Sequence, residues 1–161
     1  MYVRRLVTAI ALLALTACSG LGPIRSEDAE THVTKVVPAG DGPIEQWSAA
    51  EWSPDLRGAP SFTERLGGIN FRQGVFILTP VSALFAQWDD AEARYRILLR
   101  IPYSEMQDSE IMTYGRNRLL VLTEKNYRTH TFLLAGKWGA MVDVEASERA
   151  AKYIASRRES K

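Results

Sequence analysis

The chain has 161 residues, enough for one domain with a tail and too few for two well-buried cores. Hydrophobic residues make up 46% and charged residues 24%, a balance that excludes wholesale disorder and a multi-span membrane protein. Lys and Arg number 20 against 19 acids, so no global positive field draws the chain to nucleic acid; the single cysteine excludes a disulfide framework and a multi-cysteine metal site.

At the start of the chain, Arg4 and Arg5 precede the apolar run Leu6 to Ala14, in which Thr8 alone is polar. A charged start, a short apolar stretch and then small residues are the layout of a signal peptide, here residues 1–17. The run falls short of the about 20 apolar residues that cross a hydrocarbon core, so no permanent transmembrane helix is expected. Leu15-Thr16-Ala17-Cys18, followed by Ser19-Gly20, resembles the lipobox of bacterial lipoproteins. That resemblance implies cleavage before Cys18, a diacylglyceryl thioether on its sulfur and acylation, as by palmitate, of the new amino terminus. Ser19 is similar to the residue that passes such proteins to the outer membrane, facing the periplasm. The other reading is an ordinary secretory signal cut after Ala17, which would leave an accidental free thiol. Each buried methylene contributes about 0.8 kcal/mol, so two or more acyl chains hold stably where one binds reversibly.

Residues 18–46 read as the lipidated cysteine and a flexible tether, because Gly20, Gly22, Pro23, Pro38, Gly40, Gly42 and Pro43 break long elements. Such a segment reaches about 30 Å. Within it, Thr31 to Val37 has the β-branched content of a short strand. Residues 47–158 read as the domain and 159–161 as a tail, with Trp47 and Trp52 expected to pin the chain onto the sheet where tether meets domain.

From about Leu66 the pattern becomes β-like. Gly74 to Thr79 is stopped by Pro80, Ser82 to Trp88 alternates, and Asp89-Asp90-Ala91-Glu92 reads as a turn. In the next run Tyr95, Ile97, Leu99 and Ile101 share one face, opposite Arg94, Arg96 and Arg100, with Leu98 alone out of pattern. Glu110 to Tyr114, Leu119 to Thr123 and Arg128 to Leu134 follow, joined at Gly115-Arg116-Asn117 and Glu124-Lys125-Asn126, residues that suit tight turns. After Gly139 the period changes: Ala146, Ala150, Tyr153 and Ile154 mark one face of a terminal helix with Asp143 as its N-cap.

Several strands and one closing helix suit a bent antiparallel sandwich or small barrel. The order Gly74-Val75-Phe76-Ile77-Leu78-Thr79, Leu84-Phe85, Ile101-Pro102-Tyr103-Ser104-Glu105-Met106 and Leu119-Leu120-Val121-Leu122-Thr123 resembles GRAM and related PH-like domains over residues 66–156. The resemblance implies a mainly β, PH-like fold with a C-terminal helix, acting as a binding or adaptor module for phosphoinositides, other lipids or proteins. Pro80-Val81 stands between the first two strands of that match, where a basic loop would be needed for phosphoinositides.

Arg94, Arg96 and Arg100 are the candidate contacts for an anion or a partner, since a guanidinium stripe meets phosphate or carboxylate. The simpler reading is a solvated outer face. Arg116, Arg118, Lys125 and Arg128 near two turns would extend such a patch. Asp89, Asp90 and Glu92 could in principle bind calcium, which takes six to eight oxygen ligands, but three acids in a turn are usually just solvated, and His32 and His130, the only histidines, supply little for a metal site or a triad. No catalytic motif is present, so no catalysis, cofactor or metal is expected. The expected function is a membrane-tethered periplasmic binding or adaptor module for a protein or lipid partner. The alternative is a carrier with a lipid or small apolar ligand inside the barrel.

Overall fold

The computed structural model describes residues 21–54, 71–136 and 143–159; the signal region, Cys18, Ser19, Leu66, Trp138 and the end of the tail lie outside the described residues. In chain order come helix α1 (Ala29–Val36), a 3-10 turn (Ala39–Asp41), strands β1 (Gln46–Pro54), β2 (Arg72–Leu78), β3 (Ser82–Asp89), β4 (Arg94–Pro102), β5 (Met106–Tyr114), β6 (Asn117–Glu124) and β7 (Thr129–Ala135), and helix α2 (Val144–Glu159). The strands form one antiparallel sheet of order β4-β3-β2-β1-β7-β6-β5.

Phe76, Phe85, Ile101, Leu120, Leu122 and Phe132 gather in one buried cluster with Ala146, Ala150 and Ile154 of α2. Strands that are far apart in the sheet order therefore meet, and the sheet bends around this core. Edge strands β4 and β5 do not pair, so of the two expected forms the open bent sheet replaces the closed barrel. The corner between them is tied by Tyr103 N–H to the Val81 carbonyl at 3.0 Å and Lys125 N–H to the Glu105 carbonyl at 2.8 Å. Aromatic rings fill the interior: Phe132 lies 4.7 Å from Phe76 and 6.1 Å from Phe85 between centroids. A carried ligand would have to displace these side chains.

β1 was not anticipated. Ser48, Ala49, Ala50, Trp52 and Ser53 are all buried, so this strand between β2 and β7 is covered on both faces and shows no alternation. Trp47 and Trp52, expected to pin a tether, are instead parts of this central strand. Trp47 packs with an outer cluster and Trp52 with the inner core. The α2 N-cap is as the sequence suggests, with Asp143 Oδ1 accepting from Ala146 N–H at 2.9 Å.

The described part of the segment read as a tether is folded onto the sheet. Ile24, Ala29 and Val33 are buried, and Ile24 and Val33 join Val75 and Ile77 of β2, Leu84 and Ala86 of β3 and Tyr95 of β4 in a second cluster on the outer face. The stretch read as a strand is helical because Ala29, Val33 and Val36 stack at the four- and three-residue spacing of one helix face. Eight residues are too few for a stable isolated helix, so packing against the sheet supplies its stability and propensity alone does not reveal it.

Candidate functional site

The three candidate arginines do not share a face. Pairing moves from Ala86↔Ile97 to Phe85↔Leu99, so Leu98 is an extra residue, a β-bulge. Before the bulge Tyr95 and Ile97 enter the outer cluster; after it Leu99 and Ile101 enter the inner core. Arg94 and Arg96 therefore lie on the opposite face of β4 from Arg100, and the expected stripe is split.

Each arginine is committed to an acid. Arg94 pairs with Glu92, and Arg96 with Asp89 at 3.1 Å. Asp89 also accepts from the N–H groups of Ala91 and Glu92 at 3.0 and 3.2 Å, which closes the β3–β4 turn. The Arg96 hydrogen bond, with these backbone donors, holds the Asp89 carboxyl below the usual carboxylate range. Both pairs lie at the solvated surface, where screening leaves them little to contribute.

Arg100 does more. Its Nε and Nη2 donate to Asp41 Oδ2 and Oδ1 at 3.0 and 2.6 Å, and Ser82 Oγ donates to Oδ2 at 2.6 Å. Asp41 is buried on the 3-10 turn, and Gly42 after it takes a φ of 81° against Pro80. The Arg100 hydrogen bonds, helped by Ser82, hold the Asp41 carboxyl below its ordinary value although burial acts the other way. The cluster clips the N-terminal segment to the sheet. It is a structural clasp with its donors and acceptor already matched.

The second basic set is also divided. Arg116 and Arg118 flank one end of β6 and Lys125 and Arg128 the other, about 23 Å apart at 3.3 Å per residue. His130 Nε2–H donates to Glu124 Oε1 at 2.9 Å and His32 meets the Trp88 ring edge-on at 5.3 Å. Among the described residues no group of three His, Cys, Asp or Glu side chains is placed to hold a metal.

A groove of about 430 Å³ opens between the start of β1, the end of β7 and the first half of α2. Ile44, Trp47, Leu134, Ala135, Ala146 and Ala150 contribute its apolar surface, and Glu30, Glu45, Asp143 and Arg149 its charges. Arg149 pairs with Asp143 at 3.2 Å and with Glu145 at 3.3 Å, and Arg157 lies 4.0 Å from Glu45, so the rim keeps a small excess of negative charge. Sequence reasoning missed this groove, because its walls come from α1, β1, β7 and α2 and no local pattern announces that they adjoin.

No protein-family model matches the sequence, and no curated protein sequence does. Solved structures do. A structure of Vav1 bound to an allosteric inhibitor matches at a TM-score of 0.53 and 9% identity, covering 75% of this chain and 28% of that one. A second Vav1 structure, concerned with the PH and C1 domains of that exchange factor, matches at 0.51 and 8% identity, over 75% and 27%. The hSac2 domain of the human phosphoinositide phosphatase Sac2 matches at 0.51 and 13% identity, over 81% and 78%. The chain thus spans little more than a quarter of the Vav1 chains. The fold is PH-like.

The PH-like sheet begins at Gln46 rather than near Leu66, so its first two strands are separated by residues 55–71, of which 55–70 lie outside the described residues. Pro80-Val81, read as that loop, instead joins β2 to β3. There Thr79 Oγ1 accepts from Val81 and Ser82 N–H at 3.2 and 3.0 Å, and Tyr103 Oη donates to the Thr79 carbonyl at 2.9 Å. Burial pushes the Tyr103 hydroxyl well above its ordinary pKa, so it stays a donor at any physiological pH.

Proposed function

We propose that this chain is a membrane-tethered, non-catalytic binding module. Lipid on Cys18 would hold it at the periplasmic face of an outer membrane, and the groove between β1, β7 and α2 would take a segment of a protein partner. The lipobox supports the anchor, and the lack of a nucleophile–base motif in the sequence supports a binding role. The observation that carries the choice of partner is the chemistry of the groove. Glu30, Glu45 and Asp143 line an apolar floor against the single lining guanidinium of Arg149, and with Arg157 4.0 Å from Glu45 one negative charge remains in excess. A phosphorylated headgroup would meet like charge there, whereas an apolar segment flanked by Lys or Arg is complementary.

Photo-cross-linking in cells tests this. With benzoylphenylalanine in place of Glu45 on the groove rim, one discrete protein adduct is expected, and adding Glu30→Lys is expected to deplete it about tenfold, equivalent to about 1.4 kcal/mol. The same probe in place of Glu110, on the far edge strand β5, should give no such adduct. No adduct from position 45, or the same one from position 110, would refute the groove as the docking site.

A further inference from the structure

We infer that the anchor also dictates which face of the body meets the bilayer: the outer face at the tip of the β3–β4 hairpin, where Trp88 and Tyr95 grip Leu21 and Gly22. This rests on Cys18 carrying the lipid, as proposed above. Tyr95 Oη donates to the Leu21 carbonyl at 2.6 Å. Gly22, at a φ of 65°, lies so close to Trp88 that a Cβ there would come within 2.7 Å of the indole. The Trp88 ring in turn packs on Tyr95 at 5.1 Å, and Ile24 is buried beside them. The chain is therefore fastened to the body at Leu21, three residues after Cys18.

Length decides the consequence. Three residues extend at most about 11 Å, while a body of this size has a radius of gyration of about 14 Å and is about 36 Å across. The leash is less than a third of the body's width. It cannot bring the far side to the headgroups, as the 30 Å reach of a free tether would have allowed. Electrostatic attraction is not the cause, because residues 21–35 and 89–96 together carry six acids and four bases. The orientation should respond to leash length and not to salt.

The lipidated full chain supplies its own control, since a thioether on Cys18 leaves an added cysteine as the only free thiol. Ala91→Cys, at the exposed hairpin tip, and Glu110→Cys, on the opposite edge strand, are each labelled with a fluorophore. Both are reconstituted into phosphatidylcholine–phosphatidylglycerol vesicles containing a lipid with a quencher on its headgroup. The probe at 91 is expected to be quenched severalfold more than the probe at 110. A Gly/Ser insert between Ser19 and Gly20 long enough to span about 30 Å should abolish the difference while the protein stays on the vesicles. Equal quenching without the insert, in vesicle-bound protein, would overturn the orientation and leave the anchor standing. Protein that does not sediment with vesicles would overturn the anchor, and the orientation with it.

Discussion

Gly74→Ala is expected to destabilise the body by about 2–4 kcal/mol, a large part of the 5–15 kcal/mol typical of a domain. Gly74 lies on the inner face of β2, in phase with Phe76 and Leu78. A Cβ there would stand 2.3 Å from the Ala86 carbonyl oxygen and 2.8 Å from Cζ of Phe85. The first contact is with backbone, so no side-chain rotation relieves it. β3 cannot simply retreat, because β4 pairs along its other side through the bulge opposite Phe85 and Ala86. The Phe85 ring is confined as well, by Trp52 at 5.3 Å and Phe132 at 6.1 Å. Urea denaturation of the variant should show a lowered midpoint with an unchanged slope. An unchanged midpoint would mean that β2 and β3 do not approach as closely as described.

Asp41→Ala is expected to cost about 2–3 kcal/mol and to release the N-terminal segment before the rest of the body unfolds. The substitution removes two charge-assisted hydrogen bonds from Arg100 and one hydrogen bond from Ser82. Charge-assisted bonds contribute about 1.5–3 kcal/mol each. The loss is smaller than their sum because the Arg100 side chain, 40% exposed, can turn to water instead of remaining a stranded charge. Hydrogen exchange should quicken in α1 and the 3-10 turn and stay slow in β6 and β7, as for a separately opening unit. Uniform acceleration throughout would show that the segment and sheet unfold as one.

Acid should act on the same clasp. Because the folded-state pKa of Asp41 is lowered, its stabilisation is complete above the ordinary value of 3.8 and is lost as pH falls through the lower folded value. The segment of the native protein is therefore expected to loosen below about pH 4, and that step should be missing in the Asp41→Ala variant.

The strands from β2 onward and the terminal helix were legible because their pattern is local. Alternation, the stop at Pro80, the turn at Gly115 with its φ of 59° and the Asp143 cap can each be read within a few residues. What escaped was written across distance. β1 is buried on both faces and so carries no period, and its Ser48-Ala49-Ala50 run is small because neighbouring strands and helices approach it. α1 is held by packing rather than by its own sequence. Leu98 was the one residue out of phase on β4, and it marks the bulge that separates Arg100 from Arg94 and Arg96. That single misfit was the only warning that the arginine stripe was not one surface. The Asp41–Arg100 clasp joins residues 59 positions apart, and the groove joins both ends of the described chain, so neither has a local signature.

The proposed lipid at Cys18 would stand three residues from Leu21, where the chain is fastened to the body. Growth with an alkyne palmitate analogue, followed by intact-mass analysis of the membrane fraction, tests this most directly. The expected product begins at Cys18, carries the label and stays with the membrane, while Cys18→Ser carries none and is released. A mature wild-type chain that is unlabelled, or one cut elsewhere with a free thiol at Cys18, would contradict it.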